Sequence, residues 1–164
     1  MSDENDYNDK LLKHVIYEIQ RLYYIYSLKV KNIYINSDNP NDVKGISDAI
    51  YTSFLLHFRN LYYFFNDKER KEDIKISTFV TEKEEVLNYK FDFDIDHINK
   101  CLSHLTKGRL DYENSEEFNF NDMFLISINK CLQLFDYITT YNLTKYYMQE
   151  ILDLKNEFTQ MVNS

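Results

Sequence analysis

A chain of 164 residues, 44% of them hydrophobic, is the size of one ordinary domain and can bury a core without disulfides or a structural metal. Its 27 acidic residues against 19 basic ones give a formal charge of -8, which argues against a sequence-independent grip on DNA or RNA. With 15 Tyr and 12 Phe but only 2 Gly and 1 Pro, the composition favours long helices over a turn-rich β fold.

The opening "MSDENDYNDK" is polar and acidic, so it reads as a flexible tail over residues 1–7 and as neither a secretory signal nor a transit peptide. No apolar run approaches the ~20 residues that span a bilayer. Cys101 and Cys131 show no C-x-x-C pattern, and both fall in helical segments. A cytoplasmic chain with two buried free thiols and no membrane partner is expected.

The first helix is predicted from about Asn8 to Lys31, with Leu11, Val15, Ile19, Leu22 and Tyr26 along one face. "NSDNPNDVKG", Asn36 to Gly45, is rich in turn formers and reads as a loop. From Ile46 to Phe65 a second helix carries Ile46, Ile50, Phe54, His57, Leu61 and Phe64 on one stripe, with Leu55, Leu56, Tyr62 and Tyr63 making its other sides apolar too. A helix that is hydrophobic nearly all round belongs at the centre of a bundle.

"NDKERKED", around Lys68 to Lys71, is the one candidate basic patch, and its acidic neighbours make it a solvated loop. "DIKISTFV", Asp73 to Val80, alternates and is rich in β-branched residues, which suggests an extended segment. Thr81 and Glu84 have the spacing of a capping box. Further helices are predicted at about Asp94 to Lys107, closed by Gly108, at Asn121 to Thr140, and at Leu143 to Val162. A tight "TYN" link makes the last two an antiparallel hairpin. The expected fold is all-α, a single-domain bundle of about five helices over residues 1–164, with a short extended segment near 73–80.

At 100° per residue, His97, Cys101 and His104 fall within about 60° of one another beside the stripe of Ile95, Ile98, Leu102 and Leu105. Asp94 lies one turn before His97. A metal reading takes Asp94, His97, Cys101 and His104 as ligands, with a carboxylate or His57 completing the set. The plainer reading makes the column the flank of an amphipathic helix. His-x3-Cys-x2-His is not a common zinc spacing and no second ligand pair follows, so no metal and no cofactor is expected.

His57 stands in the middle of an apolar stripe rather than at its edge, and a buried imidazole needs partners for its nitrogens. Asn60, one turn on, is a possible companion, whereas Arg59 projects to a different side. The residue is either a core histidine satisfied by a tyrosine hydroxyl or a backbone carbonyl, or a member of a catalytic pocket.

"FLLHFRNLYYFF", Phe54 to Phe65, and "INKCLSHLTKGR", Ile98 to Arg109, together resemble the paired F-L-L-H-x-R-N-L and I-N-K-x-L-x-H-L-T-x-x-R segments of an uncharacterised family of small bacterial helical proteins. The resemblance covers two dozen of the 164 residues. It implies that His57, Arg59, Asn60, His104, Thr106 and Arg109 are the residues to watch, and it implies no reaction. The family's helical layout is similar to the HEPN-like bundles, some of which are RNases and some binding modules. Their catalytic signature places a histidine four to six residues after an arginine, whereas here His104 precedes Arg109. Geometry rather than order decides roles, so an arginine and a histidine remain able to act as phosphate stabiliser and general base.

The function expected is a non-catalytic helical binding or assembly module of bacterial or phage origin, with a protein partner, self or other, drawn by the Tyr and Phe excess. The alternative is an HEPN-like RNase using His and Arg at a cleft between helices or copies. A third is an acidic decoy of a nucleic-acid-binding protein, built on "DYENSEEFNFND", Asp111 to Asp122, and "FDFDID", Phe91 to Asp96.

Overall fold

The computed structural model describes residues 2–30, 39–67, 73–80, 93–102 and 118–162. Among these the chain is an all-α bundle of five helices without strands: α1 (Ser2–Val30), α2 (Pro40–Asn66), α3 (Ile95–Leu102), α4 (Phe120–Tyr141) and α5 (Met148–Val162). A 3-10 turn, Ile76–Thr78, lies between α2 and α3. α2 touches α1, α3, α4 and the 3-10 turn, which makes it the central helix its all-round apolar sequence called for.

The core is one cluster. α1 contributes Leu12, Val15, Ile16, Ile19 and Leu22, α2 contributes Phe54, Phe58, Leu61 and Phe65, and α4 and α5 bring Phe124, Phe135 and Phe158. Tyr26 stacks face to face on Phe124, with ring centroids 3.7 Å apart and planes 5° from parallel, tying α1 to α4. α5 returns antiparallel along α4, with Phe158 stacked on Phe135 and Lys155 paired with Asp136.

Several boundaries differ from the sequence reading. α1 starts at Ser2 and takes up the acidic segment expected to be flexible. The expected loop from Asn36 is helical from Pro40 onward, and the physical reason is local. Proline fits the first turn of a helix, and the Asn39 side chain caps it by accepting from the Asn41 N–H at 3.1 Å. This extension stands clear of the core: residues 41–49 are exposed, and Ile46, placed on the buried stripe from sequence, is 43% exposed.

The segment 73–80 is not extended. Phe79 and Val80 both donate backbone N–H groups to Ile76 O at 2.9 Å, and the single turn drops Ile76, Phe79 and Val80 together into the core. α5 begins at Met148 rather than Leu143. Asn142 ends α4 in the left-handed region, with φ 51°, and the connection runs to Tyr147. In that connection the buried Thr144 hydroxyl donates to the buried Asp9 carboxylate of α1 and accepts from the Tyr147 N–H at 3.2 Å. One side chain thus caps the start of α5 and fastens it to the first helix. The Thr81–Glu84 box, Gly108 and the end of the helix expected to reach Lys107 lie outside the described residues. No helix among the described residues is long and apolar enough to cross a membrane.

Candidate functional site

The polar residues that converge lie on the seam of α1 and α2. Glu18 is the only acidic residue between Lys10 and Val30, and it projects from the α1 flank that faces α2. Its Oε2 accepts from His57 Nδ1 at 2.7 Å and from Asn60 Nδ2 at 3.1 Å. The His57 side chain is 13% exposed and that of Glu18 is 25% exposed, so the cluster is largely withdrawn from water. Tyr17 presents an edge to the His57 ring with centroids 6.4 Å apart, and the Arg21 guanidinium sits 5.1 Å from the centre of the Tyr17 ring. The Glu18 carboxylate against Nδ1 fixes the orientation of the imidazole ring. This chemistry serves equally to lock two helices or to orient a base.

Beside the cluster runs a half-open groove of about 550 Å³, floored by Val15, Leu61 and Phe64 and edged by His14, Glu18 and Asp73. His57 is thus not a lone core histidine, and among the described residues its hydrogen-bond partner is the Glu18 carboxylate rather than a tyrosine hydroxyl or backbone carbonyl. Its partner comes from another helix. Asn60 joins it through the shared carboxylate oxygen, and Arg59 is half-buried on another side of α2.

The candidates near the opening of α3 are not brought together as ligands. The Asp94 side chain accepts from the His97 backbone N–H at 3.3 Å, a capping role. The His97 ring packs on Phe118 with centroids 4.7 Å apart. Cys101 is half-buried and forms no disulfide, and Cys131 is fully buried, where desolvation pushes its thiol up and leaves it unreactive. Among the described residues no three His, Cys, Asp or Glu side chains form a group that would hold a metal ion. His104, Thr106 and Arg109 lie outside the described residues, as do Lys68 to Lys71, residues 91–92 of the first acidic stretch and residues 111–117 of the second. The two segments of the family resemblance do pack together where they are described: Asn99 Nδ2 on α3 donates to the Tyr63 hydroxyl on α2 at 2.8 Å.

A second surface escaped sequence reasoning altogether. From Lys10 to Leu28 the exposed residues of α1 are Lys10, Lys13, His14, Tyr17, Arg21 and Tyr24, each one a base or a tyrosine. Positions 10, 14, 17, 21 and 24 advance by four and three, a straight stripe along the helix. The signal was present in the sequence, as the complement of the apolar stripe. No family model, curated protein or solved structure matches the sequence.

Proposed function

We propose that the chain is a non-catalytic helical binding module that meets a protein partner through the outer face of α1. One observation carries the reading: in a protein of charge -8, every exposed side chain from Lys10 to Leu28 is Lys, His, Arg or Tyr. A helix face kept only for solvation mixes both signs. Tyrosine and arginine are the residues that carry interface energy, since they offer large contact area at low entropic cost together with a polar tip. The face therefore suits an acidic partner surface. The paired segments Phe54–Phe65 and Ile98–Arg109 extend the proposal to a bacterial or phage origin by resemblance alone.

The test compares tagged wild-type chain with Lys13→Glu combined with Tyr24→Ala, each recovered from the native cell and examined for bound protein and nucleic acid. Both substitutions lie on the exposed face and should alter folding stability by less than about 0.5 kcal/mol each. The species held by the wild type should be lost from the variant. An unchanged set of bound species would move the contact surface off α1.

A second reading draws on the Glu18–His57 pair. A carboxylate that orients an imidazole is the arrangement a general base uses, and an arginine nearby would stabilise a phosphate, as an RNase at a cleft between helices requires. That reading needs His57 to face a substrate, and the burial of His57 behind Tyr17 and Asn60 favours the binding module.

A further inference from the structure

We infer that the partner on the α1 face is a second copy of this chain, related by a two-fold axis that lays α1 of each copy along α5 of the other. The inference rests on the binding reading above and adds the identity of the occupant. α5 is a neighbour of α1 within one copy: Gln20 Nε2 donates to Glu150 Oε1 at 2.6 Å, and Tyr23 meets Phe158 edge-on at 5.4 Å. The Tyr23 phenol is pushed up by burial and then by the Glu157 carboxylate beside it, which places Glu157 on the same flank.

Glu150, Asp153 and Glu157 stand at i, i+3 and i+7, so α5 carries an acidic stripe on the side turned toward α1. The helix holds one cation, Lys155, and that is paired with Asp136 of α4 on the opposite flank. A basic stripe and an acidic stripe therefore run side by side on adjacent helices. A two-fold axis between such stripes sets base against acid twice in one contact, and the surface is self-complementary. A face of one sign would repel its own copy. Tyr17 and Tyr24, 47% and 55% exposed and one heptad apart, supply the apolar centre.

Size sets the strength. Lys10 to Tyr24 spans about 21 Å of helix and two helices are about 20 Å wide, so the contact covers roughly 400 Å² per copy. That is the range of weak, reversible association, with dissociation constants of tens of micromolar or above. The net charge of -8 on each copy adds only long-range repulsion, which is screened beyond about 8 Å at physiological salt.

Sedimentation equilibrium of the full chain, from about 5 to 500 µM to bracket such constants, should show the mass rising from 20.0 kDa toward the dimer. Lys13→Glu with Arg21→Glu makes both stripes acidic, and Asp153→Lys with Glu157→Lys makes both basic; each chain alone should stay monomeric. Mixed one to one they should form the dimer again, as should one chain carrying all four changes. A wild type that remains at 20.0 kDa throughout would overturn the inference, whatever the variants do. So would masses beyond the dimer, which mean open head-to-tail assembly, or folded charge variants that fail to recombine. Failure here leaves the α1 reading to its own test, because loss of bound species from Lys13→Glu with Tyr24→Ala does not depend on self-association.

Discussion

Phe58→Ala is expected to lower the stability of the fold by about 3 to 5 kcal/mol. The side chain is 0% exposed at the middle of the helix that touches most of the others. It lies parallel to Phe54 with centroids 6.5 Å apart and edge-on to Phe93 at 5.0 Å, so its ring joins α2 to the residues that lead into α3. Truncation removes the transfer free energy of a phenyl group and leaves a cavity that Phe54 and Phe93 cannot close by small shifts. The check is the urea midpoint at unchanged slope. A loss below about 1 kcal/mol would mean that the centre of α2 is not packed as described.

Thr144→Val should cost about 2 to 4 kcal/mol although it keeps the size of the side chain. The hydroxyl has two jobs, donating to the Asp9 carboxylate and accepting from the Tyr147 N–H. Thr144 is 2% exposed and Asp9 is 5% exposed, so water cannot replace what valine removes. Losing a hydrogen bond to a charged group costs about 1.5 to 3 kcal/mol, and loss of a helix cap adds about 1. Thr144→Ser retains the hydroxyl and should recover most of the difference in the same melt. Equal losses in the serine and valine variants would show that the methyl group, not the hydrogen bonds, holds the start of α5.

The bundle was legible in the sequence because burial writes itself as a period. Phe54, Leu61 and Phe64 of the predicted stripe are buried, and the density of apolar residues around them marked α2 as central, although the fully buried Phe58 and Phe65 lie beside that stripe rather than on it. Boundaries were less legible where single side chains decide them: Asn39 and Pro40 start a helix inside what composition marks as a loop. The β-branched run at 73–80 misled because propensity says nothing about partners. A strand needs a ladder to satisfy its backbone, and here a 3-10 turn satisfies it locally while sending Ile76, Phe79 and Val80 inward.

The candidate site divides in the same way. His57 and Asn60 were visible as polar residues on an apolar stripe, but their partner Glu18 is 39 residues from His57 and no periodicity couples the two. The basic and tyrosine face of α1 was legible from spacing alone. It was missed because only the apolar stripe of the first helix was followed, while the expected basic patch was sought in a charge run near Lys68.

His57 is the residue at which the structural and catalytic roles part. As a cross-link it gives Glu18 one of its two donors among the described residues, and its removal leaves a largely withdrawn carboxylate with Asn60 as its remaining described donor. Urea unfolding of His57→Ala should then show a stability lower by about 1 to 3 kcal/mol at unchanged slope. A midpoint equal to the wild type would contradict the cross-link and return His57 to the role of a cleft base.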